Sequence, residues 1–404
     1  MLSEGVMDSV VMRLHSFWNS FCSIGVELRM PALAAERFSI EAAVYRVPPR
    51  SGSDTLLTSL NLGFMRRVAV VYTVPFVNRS EELRVLEELS ARGLTKPLYL
   101  YGPEGCGKTR LLREFIGSFR GVGIYIDALE EKDVELALRF SRVLSTATSI
   151  LAEVVGSYTG SVGRVLAERV SELLGRVLTS LSLKGSKVVV VVDDVARAIG
   201  INRIEWYVKR LYELIWRAVD RYGIDSLLIV VTTSEGLSLD VVARHTHSHI
   251  RLLWNLGEEG FRELALRLEP PSTSAIQDAW MATGGNPRAL IELAMDYGWE
   301  VDKWLNSLER RLLRVAEEVR HRGLAKELEM VIEDIDSIYR NPSREMLELR
   351  RLLIEENLIL SKYMETLVGR ELAPSRSLGI GRYYAWQLPA YREVLRKILD
   401  EHRS

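Results

Sequence analysis

The segment Leu98-Tyr99-Leu100-Tyr101-Gly102-Pro103-Glu104-Gly105-Cys106-Gly107-Lys108-Thr109-Arg110 decides how the rest of the chain is read. A strand-sized apolar run, Pro97 to Tyr101, gives way to a turn of the form Gly-x-x-x-x-Gly-Lys-Thr, and helical spacing begins near Thr109. That order of parts has a physical purpose. Glycines let the backbone wrap a phosphate chain with its N–H groups, and the positive end of a helix faces the same anion. Lys108 is placed to reach the outer phosphates and Thr109 to ligate Mg²⁺, with Arg110 opening the helix beside them. Cys106 sits at an unconstrained loop position and reads as a small space-filling residue.

Working outward, a run of five valines, Val188 to Val192, ends in Asp193-Asp194. Such a strand delivers carboxylates to the edge of an open α/β sheet where ligands bind. Asp193 is placed to hold Mg²⁺ through water, and Asp194 to orient or deprotonate an attacking water. The strand Ser226 to Thr233 ends in Thr232-Thr233-Ser234. Hydroxyls there, Thr233 foremost, either meet the terminal phosphate or its water, or simply end the strand and cap the next segment. With Val122 to Asp127 and His247 to Trp254, these runs alternate with amphipathic stretches, the pattern of βα units on a parallel sheet covered on both faces. Val134 to Leu183 carries apolar residues at helical intervals and predicts one or two covering helices.

The chain has 404 residues, 47% hydrophobic and 26% charged, enough for two or three domains with their own cores. Residues 1–75 receive no fold. Residues 76–256 form the α/β unit, 257–323 a helical subdomain, and 324–404 a final unit of two helices, strand-like segments Leu358 to Val368 and Gly381 to Leu388, and helix Ala390 to Glu401. That last order predicts a winged helix. Fifty-three Lys and Arg against 54 Asp and Glu leave a net charge of −1, so any surface for nucleic acid must be local. Cys22 and Cys106 are too few for a disulfide framework, which predicts a reducing cytoplasm. No apolar run approaches the ~20 residues of a membrane helix. The apolar stretch Phe17 to Ala35 comes after Glu4 and Asp8 and contains Glu27 and Arg29, unlike a signal peptide.

Phe76-Val77-Asn78-Arg79-Ser80-Glu81-Glu82-Leu83 resembles the "xGRExEL" box that opens the nucleotide-binding domain of STAND-type and related archaeal AAA+ ATPases. Thr283-Gly284-Gly285-Asn286-Pro287-Arg288-Ala289-Leu290 resembles the "GGxPxxL" box in the helical lid of the same group. With the two motifs above, the resemblance covers about Pro75 to Arg320. It implies an AAA+ type P-loop NTPase core with a parallel sheet, a helical lid and a C-terminal winged helix, binding ATP or ADP with Mg²⁺. It further implies an adenine pocket between Asn78-Arg79 and the lid, with Pro287 near the base. Arg288 is placed like the lid arginine by which origin-recognition initiator ATPases sense the γ-phosphate, while its residue pattern equally allows a solvent-facing side chain. Two departures stand out: Asn78 where Gly is common, and the absence of an Arg after Thr232-Thr233. The implied activity is slow ATP hydrolysis by a conformational switch. The alternatives are a DNA-acting ATPase whose winged helix grips duplex, and a scaffold that holds nucleotide without turning it over.

Three other features carry less. His245, His247 and His249 alternate as a strand-borne zinc site would, but no Cys or carboxylate cluster completes one. Arg244 is either a finger for a neighbouring subunit's nucleotide or a solvated side chain. Arg370, Arg376 and Arg382, with Tyr383, Tyr384 and Trp386, could lie along a DNA minor groove. Against this, residues 301–404 hold 19 basic and 18 acidic residues. The balance favours a module for a protein partner or self-association, its aromatics in the core.

Overall fold

A computed structural model describes residues 76–141, 161–180, 185–233 and 236–401. Residues 1–75, part of the stretch predicted as covering helices, and Ser234 lie outside the described residues. Six strands make one sheet: β1 (Leu98–Tyr101), β2 (Val122–Asp127), β3 (Leu138–Phe140), β4 (Lys187–Asp193), β5 (Ser226–Thr233) and β6 (His249–Leu252). Their order is β3-β2-β4-β5-β1-β6, parallel throughout except that β3 runs against β2. The five apolar runs are all strands. β3 was not foreseen, because Leu138-Arg139-Phe140 is short and mixed; pairing with the exposed edge of β2, and not its own pattern, makes it a strand.

Strand residues alternate between two apolar layers. Val188, Val190 and Val192 face the helix Ile201–Tyr222, whose Ile204, Tyr207, Val208, Leu211, Ile215 and Ala218 recur at helical intervals. Val189 and Val191 face the opposite layer, with the helices Ser80–Arg92 and Lys108–Ser118. Valine suits both sides because neither meets water. The face of every residue at the sheet's C-terminal edge is thereby decided.

After β6 come four helices, Glu258–Arg267, Thr273–Thr283, Pro287–Met295 and Val301–His321. The chain continues through Ala325–Glu333, Ser337–Arg340 and Arg344–Glu355, then the antiparallel pair β7 (Ile359–Ser361) and β8 (Tyr384–Trp386), and the helix Pro389–Glu401. A single apolar cluster runs from Phe261 through Trp304 and Leu312 to Leu353, Leu395 and Ile398, so the core is continuous across residue 323. The predicted helix Ala325 to Tyr339 stops at Glu333. Asp336 is buried there instead, its carboxylate accepting the backbone N–H groups of Arg382 at 2.6 Å and Tyr383 at 2.9 Å. The predicted strands of this region shrink to three residues each. The segment between them turns back onto the sheet, where Leu252 N–H donates to Glu365 at 2.9 Å and Leu367 N–H to Leu252 at 2.8 Å. The open edge of β6 is thus covered. Among the described residues no helix is long and apolar enough to cross a membrane.

Candidate functional site

The loop after β1 closes on itself before the helix begins. Gly105 and Gly107 have φ of 79° and 99°, the left-handed region that glycine adopts without penalty. A Cβ on Gly105 would also lie 2.7 Å from the Cβ of Arg288. Lys108 is buried, and its Nζ donates to the carbonyls of Gly102 at 2.9 Å and Pro103 at 3.0 Å. A second buried cation braces the loop from behind. Arg79 donates to the carbonyls of Cys106 at 3.0 Å and Trp254 at 2.7 Å, and pairs with Glu82 at 2.6 Å. Cys106 is buried as a free thiol, its Sγ against the Leu253 carbonyl.

Tyr125, Asp127, Asp193 and Thr232 share one sheet face, that of the helix begun by Lys108. Asp127 pairs in register with Asp193, and Thr232 lies one residue past the Val192–Val231 pair. Asp193 is buried; it accepts the Thr232 hydroxyl on Oδ1 and the Tyr125 hydroxyl on Oδ2, the latter at 2.5 Å. Arg113 donates to the Tyr125 oxygen at 3.2 Å and to Asp127 at 3.0 Å. Burial and then the neighbouring Asp193 charge push the Tyr125 phenol far above its ordinary value, so it stays a proton donor. Burial also raises Asp127. Asp194 adopts φ 52°, which Asp tolerates better than most residues, and its N–H donates to the Thr232 hydroxyl at 2.9 Å. Adjacent strand residues point to opposite faces, so the Thr233 hydroxyl meets Ser238 at 2.9 Å while Thr232 reaches the carboxylate.

Three buried amides meet at the tip of the loop. Asn286 caps the helix Pro287–Met295 through Ala289 N–H at 3.1 Å, and its Nδ2 donates to the carbonyl of Glu104 at 2.8 Å and to Asn255 at 2.9 Å. Gln387, just past β8, accepts the Glu104 N–H at 3.0 Å, and its own carbonyl accepts from Asn255 at 3.2 Å. Arg288 pairs with the Glu104 carboxylate at 2.9 Å, both groups well exposed. Pro287 occupies the first turn, where its missing N–H costs nothing.

Beside these parts lies a cavity of about 400 Å³, lined by Asp194 but not by Asp193, within the range of small-molecule sites. Phe76, Val77, Leu256, Leu264, Pro287 and Ile291 supply the apolar part of its lining. The loop Gly105 to Arg110, with Arg113, Asp194 and Arg288, supplies the polar part. Arg79 also lines it, but Asn78 does not; Asn78 has φ 42° and packs against Gly260. That left-handed φ explains why glycine is common there and why Asn can replace it. Thr109 lines the cavity, and Arg110 pairs with Glu114 at 2.8 Å. The oxygen donors offered by Asp193 and Thr109 are of the kind Mg²⁺ prefers.

The remaining candidates lie elsewhere. His245 pairs with Glu205 at 2.8 Å and stacks on His247, and among the described residues no His, Cys, Asp or Glu cluster suits a metal. Arg244 lines a separate cleft of about 1030 Å³ together with Arg350 and Arg351. Arg370 pairs with Glu81 of the first helix at 3.0 Å. Tyr384 and Trp386 are buried, and Tyr383 stacks on Tyr339 at 3.9 Å between ring centres.

A family model described as an ATPase domain predominantly from Archaea matches residues 76–293, the span that holds the loop, the carboxylates and the lid box. The chain belongs to this ATPase family. No curated protein matches it. Among solved structures the ATPase is similar to a point variant of Thermotoga maritima RuvB, at 15% identity over 74% of this chain and 93% of that one, TM-score 0.29. It is similar to the Aeropyrum pernix ORC2 protein in ADPNP-ADP complexes, at 15% identity over 88% and 96%, TM-score 0.33. A third likeness is the FIGL-1 AAA domain in complex with ADP, at 14% identity over 55% and 70%, TM-score 0.31. Sequence reasoning passed over Tyr125, Arg113 and Gln387. The parity of Tyr125 with Asp127 was readable, but nothing local marked Gln387.

Proposed function

We propose that this ATPase is a Mg²⁺-dependent, slowly hydrolysing switch of the STAND kind. The observation that carries this reading is the double grip on Glu104: its carbonyl is held by Asn286 of the lid and its N–H by Gln387 of the C-terminal unit. A change in the loop on phosphate binding would be felt by both at once. In this reading residues 76–256 are the core, 257–323 the lid, and 324–404 a winged helix. The apolar lining of the cavity takes the adenine base, and the loop N–H groups and Lys108 take the phosphates. Asp193 and Thr109 would hold Mg²⁺, which supplies charge neutralisation on the phosphate oxygens. Asp194 accepts the proton of the attacking water, and Thr232 keeps Asp193 and the Asp194 backbone aligned. Arg288, which lines the cavity, is the lid cation that would meet the phosphates. Asp is one methylene shorter than Glu, so the water is held less well and turnover falls far below the ~10 s⁻¹ enzyme median.

The wing reading for DNA loses support, since Arg370 is paired with Glu81 and the segment around Glu365 lies along β6. The deciding experiment measures ATP hydrolysis by the full chain while limited proteolysis monitors the C-terminal unit with ADP and with a non-hydrolysed ATP analogue. We expect slow turnover and two distinct cleavage patterns. Turnover at or above ~10 s⁻¹ contradicts the switch, and identical patterns with no turnover favour the scaffold.

A further inference from the structure

Asp193 is held from both sides by strands that flank its own. Thr232 of β5 donates to Oδ1 and Tyr125 of β2 donates to Oδ2 at 2.5 Å. Tyr125 is fully buried, so its hydroxyl has no water to turn to. The same phenolic oxygen accepts from Arg113 Nε at 3.2 Å. A guanidinium only donates and a phenol has one proton, so with Arg113 on its lone pair the Tyr125 proton has to point at Asp193. Arg113 is itself anchored by Asp127 at 3.0 Å and belongs to the helix that Lys108 opens. Phosphate loop and carboxylate are therefore joined through a chain of side chains, Arg113 to Tyr125 to Asp193.

A carboxylate that accepts one hydroxyl on each oxygen cannot swing about its terminal torsion without breaking one of them, and it keeps further lone pairs for other donors. Groups that orient ligands in this way shift metal affinity or activity by about 10- to 100-fold when removed. Resting on the ATPase reading above, we propose that Tyr125, held by Arg113, is a positioning residue that fixes the Asp193 carboxylate for the hydrated Mg²⁺ of bound nucleotide. Its hydroxyl then governs how much Mg²⁺ improves nucleotide binding, and has little influence on binding without metal.

The test is calorimetry of ADP binding to the full chain in Mg²⁺ and in EDTA, for wild type and Tyr125→Phe. The ratio of the two affinities should shrink by about tenfold in the variant, with affinity in EDTA kept within about twofold of wild type. Hydrolysis should fall through kcat more than through KM. Should Tyr125→Phe not fold, Arg113→Gln leaves the phenol in place but frees its proton, and should move the ratio in the same direction by a smaller factor. A folded Tyr125→Phe that melts lower yet keeps the wild-type Mg²⁺ ratio overturns the proposal, because that is what a purely structural hydroxyl would do. Wild-type protein that binds no ADP under either condition overturns the ATPase reading itself.

Discussion

The phosphate loop is held at two ends by different chemistry. Toward the sheet, the partners are charged: Lys108 on its two carbonyls and Asp193 between two hydroxyls are buried, and Arg113 beside Asp127 is half-buried. Toward the lid, the buried partners are neutral amides, Asn255, Asn286 and Gln387, and the charged pair Arg288–Glu104 stays in solvent. Charges in a water-excluded setting act strongly on a bound anion and on developing charge. Neutral amides fix geometry with little field. In the proposed switch, affinity and rate would reside at the sheet end, and conformation would be transmitted at the lid end.

Four substitutions can break or sharpen that division. Asp194→Asn keeps shape but removes the base, so ATP binding should persist while single-turnover hydrolysis drops by roughly 10²- to 10⁴-fold. Retained hydrolysis would move the base elsewhere. Lys108→Ala should weaken ATP binding by about 100-fold or more, since the loop N–H groups are left without the ammonium. Calorimetry showing a change of only a few-fold would put the phosphates outside the loop. Gln387→Leu leaves the Glu104 N–H without its side-chain acceptor and removes the bond to the Asn357 side chain, a loss of about 1–3 kcal/mol in stability. Nucleotide affinity should hardly move, while the proteolytic difference between ADP and ATP-analogue states collapses. An affinity loss as large as that of Lys108→Ala would erase the contrast between the two ends. The smallest effect belongs to Arg288→Ala, whose exposed ion pair contributes at most about 1 kcal/mol to stability. A melting shift of only a degree or two combined with slower hydrolysis would mark Arg288 as a phosphate contact; unchanged hydrolysis would leave it as a surface tie.

Much of the sheet end was legible in the chain. The spacing Gly102 to Thr109 and the valine run ending in Asp193-Asp194 are local patterns, and each lies within one strand–turn unit. Thr232 against Thr233 was a matter of strand parity, decided once Val231 and Val192 are known to pair. The lid end was legible only in part. Asn286 before Pro287 announces a helix cap, but its second bond, to the Glu104 carbonyl, joins residues far apart in sequence. Gln387 carries no local signal at all.

From sequence alone came the parallel α/β core, the identity of the phosphate loop and the strands that frame it, because periodicity and glycine spacing are properties of a few consecutive residues. Only the tertiary structure decided that Tyr125 and Thr232 bracket Asp193, that the C-terminal unit shares the lid's core, and that Gln387 reaches the loop. Those outcomes depend on strand register and on the packing of distant helices, which are settled by the burial of whole faces and the pairing of every buried polar group, not by any one segment.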